Sequence, residues 1–211
     1  MGGFSLVELM LSLSLGLALS GVMLQGLMAE GQNGARFSRL LRERAAQRRT
    51  LELVKHDLAQ ATAVSETPEL EQHGCSLAGR NPVLHLRTAA GPITYSVGAA
   101  PSAIWRGRVL MRCGPAFGLD GLISGGSQTL NRVVIDGLAA KPQVWSGCRT
   151  HFPSMGAIAA VEIAKSFTQP FSVCLDSQSG VLALRIEQQL GSVQGDSVQR
   201  ISLEQVMGLR G

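Results

Sequence analysis

The sequence predicts an α+β protein, in which a long N-terminal helix is followed by an antiparallel β-rich domain. Residues 9–29 contain no ionisable side chain, and apolar residues recur with helical spacing well beyond them. From about residue 80 onward, short runs of β-branched and apolar residues are separated by Gly and Pro, which is typical of strands and turns. The 211-residue chain is long enough to form one globular domain beyond the apolar segment.

Composition agrees with this fold class. Charged residues make up 16% of the chain and aromatic residues 4%, while Gly occurs 25 times. Such a composition suits a domain of short strands and many turns better than a helical bundle. The net charge is +4. The excess of positive charge is concentrated in residues 36–49, which contain six Arg and one acid, Glu43.

The N-terminal segment is long enough to cross a membrane. Residues 9–29 would form a helix of roughly 30 Å, about the thickness of the hydrocarbon core of a bilayer. Just before this run, one acid, Glu8, interrupts an otherwise apolar stretch. A carboxylate at membrane depth costs about 2.5–3.5 kcal/mol, so we expect Glu8 to have a partner or a function.

The stretch Gly3-Phe4-Ser5-Leu6-Val7-Glu8-Leu9-Met10 resembles the processing motif of type IV prepilins and of the pseudopilins of type II secretion. The resemblance implies that a prepilin peptidase cuts between Gly3 and Phe4 and that Phe4 becomes the N-methylated first residue. It also implies that Glu8 pairs with the α-amine of a neighbouring subunit. Such a pair sets the axial register between helices, because breaking it leaves an uncompensated charge among apolar side chains.

The resemblance divides the N-terminal region into three parts. Residues 1–3 are the expected leader, and residues 4–29 are the transmembrane and assembly half of the helix. Residues 30–64 are expected to be its amphipathic half, because apolar residues recur at separations of three, four and seven. These residues are Phe37, Leu40, Leu41, Leu51, Val54, Leu58 and Ala61. The mature helix would then measure about 85 Å, ending before Thr67-Pro68, since a residue that precedes Pro avoids the α region.

Residues 65–211 are expected to form the β-rich globular domain on which the amphipathic half packs. The predicted strands and strand-like stretches are residues 83–87, 93–97, 103–106, 109–113, 132–138, 157–164, 171–175 and 181–186, and residues 198–207 are ambiguous. The pattern is similar to that of PilW-type minor pilins, in which a strand that ends in an Arg and a small turn precede the next strand. It is carried by Tyr95-x-Val97, Val109-Leu110-Met111-Arg112-Cys113-Gly114-Pro115 and Val134-Ile135-Asp136-Gly137-Leu138. The long, J-type minor pseudopilin of type II secretion is the near alternative.

The four cysteines, Cys75, Cys113, Cys148 and Cys174, all follow the helical region. None belongs to a C-x-x-C pair, and the four His show no ligand spacing with them, so we expect neither a metal nor a cofactor. An even number of cysteines in an exported domain favours two disulfides. Three connectivities are open, and proximity in the sequence favours Cys75–Cys113 with Cys148–Cys174.

The sequence contains no recognisable catalytic motif. Gly125-Gly126-Ser127 lacks the flanking strand and the final Gly of a nucleophile elbow, and the Gly-rich residues 114–126 lack the Lys-Ser/Thr ending of a phosphate loop. We therefore expect no enzymatic activity. The six Arg have a second interpretation as DNA contacts. However, they are spread around most of the helix, which favours solvated charge and pairing between subunits.

Together these features predict a minor pilin-like subunit of a type IV pilus, with pilus assembly as its role. Its expected partners are other pilin subunits, prepilin peptidase, the inner membrane and the pilus assembly platform. The C-terminal domain is expected in the periplasm and then on the pilus. The positive-inside rule alone would place it in the cytoplasm, but the motif and the cysteines outweigh that rule. The alternatives are a minor pseudopilin of a type II secretion system and a signal-anchored extracytoplasmic binding domain that does not polymerise.

Overall fold

The computed structural model describes residues 5–65, 75–146, 160–162, 169–176, 181–191 and 199–208. Within these ranges the protein has an α+β structure, in which a single helix, α1 (Leu6–Ala59), is followed by nine strands. By internal packing the chain divides into two units, Met1–Ala45 and Ala46–Gly211. The last 14 residues of α1, 46–59, therefore belong to the second unit.

The first unit consists of helical residues in its described part. Leu6–Met28 is a segment of 23 residues with a mean hydropathy of 1.9, and none of its most apolar window is buried. It is the one helix among the described residues that is long and apolar enough to cross a membrane. By length and composition, the chain thus carries an N-terminal membrane anchor candidate.

The second unit contains the strands, which form one antiparallel sheet among the described residues. They are β1 (Ala61–Ser65), β2 (Asn81–Thr88), β3 (Gly91–Ala99), β4 (Arg108–Gly114), β5 (Leu130–Leu138), β6 (Ala160–Glu162), β7 (Phe171–Asp176), β8 (Val181–Leu190) and β9 (Gln199–Gly208). Their order is β1-β2-β3-β4-β5-β8-β7-β6, and β9 pairs with β8 along its whole length. The first five strands form a meander, and β8 joins β5 through the pair Leu138–Gln188.

The sheet curls around an apolar core that the helix closes. The rings of Tyr95 in β3 and Phe171 in β7 face each other, with their centroids 6.4 Å apart. From α1, Leu51, Val54 and Leu58 enter the same core and are at most 3% exposed. These three positions lie on one helical face, as their spacing predicts. Burial of each such side chain stabilises the fold by about 1.5–3 kcal/mol.

The helix ends earlier than the sequence predicts. Residues up to about 64 were expected to be helical, but α1 ends at Ala59 and residues 61–65 form strand β1, which pairs with β2. The β-branched Thr62 and Val64 favour an extended backbone, and pairing with β2 satisfies backbone groups that a frayed helix end would leave to water. The amphipathic half of the helix is accordingly shorter than expected.

Most predicted strands overlap observed ones. The exception among the described residues is 103–106, which lie in the loop between β3 and β4 and not in a strand. Of residues 157–164, only 160–162 are described, and they form β6. The ambiguous segment 198–207 coincides with β9, a ten-residue strand.

Candidate functional site

Glu8 lies in the first turn of α1, at the head of its apolar segment. The carboxylate is exposed and makes no hydrogen bond or ion pair within the part of the chain that the structure describes. In a bilayer such a carboxylate is costly unless a positive charge compensates it. The positive partner of Glu8 therefore has to be a residue outside the described ranges or a group of another molecule.

Glu8 lies where the helix begins. The backbone N–H groups of Glu8 and Leu9 both donate to the carbonyl oxygen of Ser5, at 3.0 and 3.2 Å. The spacing Ser5-x-x-Glu8 is that of a capping box, but neither side chain makes the reciprocal hydrogen bonds of that motif with a described residue. A carboxylate in the first turn interacts favourably with the helix dipole, by about 0.3–1 kcal/mol.

The serine hydroxyls of the apolar segment are satisfied within the helix. The hydroxyls of Ser12, Ser14 and Ser20 donate to backbone carbonyls three or four residues earlier, at 2.8–3.0 Å. Hydroxyls that are paired in this way need no water, so these serines are compatible with a hydrocarbon environment. Glu8 is therefore the group in this segment whose charge still needs a partner.

The other residues of the processing motif, Gly3 and Phe4, lie outside the described residues. Cleavage between them and methylation of Phe4 stay predictions. Cys148 also lies outside the described residues, so its pairing stays a prediction too.

A disulfide joins Cys75 to Cys113 of β4, with a Cα–Cα distance of 6.0 Å. This is the pair that proximity in the sequence favours. It closes a loop of 38 residues, which in the chain-entropy model stabilises the fold by on the order of 4 kcal/mol. Cys174 of β7 is buried and is also disulfide-bonded.

A buried ion pair connects the helical part of the second unit to the sheet. Asp57 of α1 is fully buried. Its carboxylate accepts hydrogen bonds from Arg112 of β4, from Nε at 2.6 Å and from Nη2 at 3.1 Å. The Tyr95 hydroxyl donates to the same carboxylate at 2.6 Å. The carboxylate thus accepts two hydrogen bonds from Arg112 and one from Tyr95. These three bonds fix how residues 46–59 of α1 are rotated about the helix axis relative to β3 and β4.

Arg112 has further partners that make its burial tolerable. It donates from Nη1 to the carbonyl oxygen of Pro115 at 2.9 Å, and its guanidinium lies 4.7 Å from the centre of the Phe117 ring. Burial by itself lowers the pKa of Arg112, but the hydrogen bonds and the charge of Asp57 outweigh this effect and raise the pKa above its ordinary value. The arginine therefore stays charged inside the fold.

Replacement of Tyr95 by Phe should alter the alkaline stability of the protein. Burial, followed by the adjacent charge of Asp57, raises the pKa of Tyr95 well above its ordinary value near 10. Folded protein then keeps the phenolic proton at a pH where unfolded chain has lost it, so stability falls as the pH rises above about 10. Tyr95→Phe should cost about 1–3 kcal/mol at neutral pH and flatten this alkaline decline. Denaturant unfolding at pH 7, 9 and 10.5 measures both effects. If the free energy of unfolding of Tyr95→Phe declines with pH as steeply as that of the wild type, the raised pKa of Tyr95 is contradicted.

A second buried network ties the segment that follows β5 to strand β8. Glu187 accepts hydrogen bonds from the backbone N–H of Gln143, at 2.9 Å, and from the guanidinium of Arg185. Arg185 also donates to the carbonyl oxygen of Gln143 at 2.8 Å. Both charged side chains are at most 5% exposed, so the network orders a stretch that has no regular secondary structure.

Sequence reasoning did not single out Asp57 or Glu187, and it included Arg112 only in the pattern shared with PilW-type minor pilins. The sequence does carry a signal for Arg112. Alternate residues of a strand point to the same face, so Arg112 shares the face of the buried Leu110. Asp57 likewise lies beside Leu58 on the apolar face of the helix. A charge on an inward-facing position indicates a buried partner of opposite sign. Within the described ranges, no group of three or more His, Cys, Asp or Glu side chains is arranged to hold a metal ion.

Comparisons with known proteins give no match: no family model, no curated protein and no solved structure is significantly similar to this chain.

Proposed function

We propose that the chain is a minor pilin-like subunit of a type IV pilus. A prepilin peptidase cuts it between Gly3 and Phe4, and Phe4 is then N-methylated. The apolar helix holds the subunit in the bacterial inner membrane, with the C-terminal domain in the periplasm. The assembly platform then moves the subunit into a pilus, where its helix packs against the helices of other pilin subunits. Motility, adhesion or DNA uptake depend on it indirectly.

The observation that carries this proposal is the Gly3-Phe4 motif, with Glu8 at the head of an apolar helical segment that the described protein leaves unburied. An unburied apolar surface is stabilised by lipid in the membrane and by neighbouring helices in a filament. Glu8 selects one axial register among those that apolar packing alone would allow, because only one register brings it beside a positive charge.

The proposal assigns no catalytic step and no cofactor to the chain. Its partners act on the N-terminal segment: the peptidase on Gly3 and Phe4, and other subunits on Glu8. Direct DNA binding is the weaker hypothesis, because the Arg residues between 36 and 49 point around the helix rather than along one stripe.

Sheared filaments from the native host test the proposal. We expect the chain in the filament fraction, in small amounts relative to the major subunit, and we expect it to be absent from that fraction in a strain without prepilin peptidase. Mass spectrometry of the two fractions provides the measurement. Recovery of the chain in the membrane fraction alone, in cells that do carry pili, would contradict the proposal.

The cysteines provide a separate test of location. If the second unit lies outside the cytoplasm, Cys75 and Cys113 should be oxidised in living cells. Acid-quenched cells treated with a thiol-reactive polyethylene glycol should show a gel shift of the chain only after reduction. A Cys113→Ser variant is the control, because it leaves Cys75 without its partner and should shift without a reductant. A shift of the wild-type chain without a reductant would contradict periplasmic exposure.

Two alternatives keep specific support. A minor pseudopilin of a type II secretion system would use the same motif and the same helix, and would differ in its partners. A signal-anchored binding domain that does not polymerise is supported by the position of Glu8 in the first turn of α1, because a carboxylate there interacts favourably with the helix dipole without a neighbouring subunit.

A further inference from the structure

A cleft of about 460 Å³ opens on the second unit, between the helical residues 46–53 and the strands β4 and β5. Its walls combine apolar side chains with three arginines, Arg49, Arg112 and Arg132, and no carboxylate is among the described residues that line it. The apolar part of the lining includes Leu53, Phe117, Leu130 and Val134. Its volume lies within the range typical of ligand-binding clefts.

Two of the three arginines in the cleft have no counter-ion among the described residues. Arg112 is neutralised by Asp57. In contrast, the side chains of Arg49 and Arg132 are exposed and make no ion pair or hydrogen bond with any residue that the structure describes. Two positive charges therefore line a concave surface to which the described residues contribute no acid. Such a surface raises the local concentration of anionic groups and favours their binding.

Three apolar residues of the lining, Leu53, Phe117 and Val134, are half-buried and are called the floor of the cleft below. A small inorganic anion would use the arginines but leave this floor in contact with water. An occupant that carries both carboxylates and an apolar side chain would contact the arginines and the floor together. Its carboxylates would pair with the guanidinium groups, and its apolar side chain would remove the apolar surface of the floor from water.

We propose that this cleft binds an acidic, amphipathic segment of another protein. One or two Asp or Glu carboxylates of that segment pair with Arg49 and Arg132, and an adjacent apolar side chain rests on the floor. The inference does not depend on whether the chain polymerises.

Site-specific photo-crosslinking in the native host, with the full-length chain, tests this inference. A photo-reactive amino acid replaces Leu130, which is half-buried in the cleft lining. The control position is Val144, which is 74% exposed and lies outside the cleft. We expect one protein adduct from position 130 that is missing from position 144. The cross-linked peptide should contain Asp or Glu next to an apolar residue.

Charge reversal then identifies the contact. Arg49→Glu with Arg132→Glu should lower the adduct yield from position 130 about ten-fold or more, since each lost pair to a charged group weakens binding several-fold. The control, Arg48→Glu with Lys141→Glu, changes the net charge equally at two exposed residues outside the lining. This control should leave the adduct yield from position 130 unchanged. Replacement of the acidic residue of the partner by Arg should restore the adduct with the chain that carries Arg49→Glu and Arg132→Glu.

Equal membrane abundance and an intact Cys75–Cys113 disulfide show that both double variants are folded. Three results would overturn the inference: an adduct formed only with a second copy of this chain, an adduct peptide without acidic residues, or a yield that the cleft and control variants lower equally. The absence of any adduct from position 130 in cells that express the chain normally would also overturn it.

Discussion

Replacement of Glu8 by Gln should remove the chain almost completely from sheared filaments, while its insertion in the membrane stays normal. Loss of one partner of a buried ion pair costs about 3–5 kcal/mol, because the other charge stays buried without compensation. At 1.4 kcal/mol for each factor of ten, this corresponds to a decrease of about a hundred-fold or more in incorporation. The ratio of the chain in the filament and membrane fractions measures it.

Gln is the informative substitution because it is close to Glu in size and in helix propensity. Glu8→Gln therefore removes the charge with little other change to the helix. A matched control is Gln25→Leu, which alters another exposed polar side chain of the same apolar segment. If Glu8→Gln and Gln25→Leu both assemble normally, Glu8 has no pairing role and the signal-anchored alternative is favoured.

Replacement of Asp57 by Ala should lower the free energy of unfolding of the second unit by about 3–5 kcal/mol. Arg112 would keep its hydrogen bond to Pro115 and its contact with Phe117, but its charge would be buried without a counter-ion. Denaturant unfolding of the detergent-solubilised chain, followed by the fluorescence of Trp145, measures the change, because Trp145 is 4% exposed in the native fold.

Two further variants distinguish a buried ion pair from a general effect of mutation on this helix. Glu52→Ala removes the exposed pair with Lys55 and an exposed hydrogen bond from Gln205, at 3.3 Å, and should cost no more than about 1 kcal/mol. Asp57→Leu combined with Arg112→Met removes both charges and should recover much of the stability lost in Asp57→Ala. If the double variant loses as much free energy of unfolding as Asp57→Leu and Arg112→Met lose together when made singly, the two residues are not energetically coupled.

Local patterns predicted most of the elements of this fold. The burial of Leu51, Val54 and Leu58 follows from their helical spacing. The strands β2 to β5 follow from β-branched runs between Gly and Pro. The end of the helix was misplaced because Ala61 and Ala63 suit a helix, and only the pairing of residues 61–65 with β2 makes this segment a strand. Such pairing is a tertiary effect that intrinsic propensity does not contain.

The charged contacts were harder to predict because they join residues that are distant in the sequence. Asp57 and Arg112 are separated by 55 residues, and Gln143 and Glu187 by 44. Their contact depends on strand order, in particular on the junction of β5 with β8, for which the sequence carries no local signal. In contrast, the motif around Glu8 is local, so its recognition required no knowledge of the fold.

The mass and sequence of the mature N-terminus, determined on the chain purified from membranes of the native host, test the central claim most directly. The proposal predicts a chain that begins at Phe4, with one methyl group on its α-amine and without residues 1–3. A chain that keeps Met1, or one that is cut near Ala29, would contradict the pilin-like function.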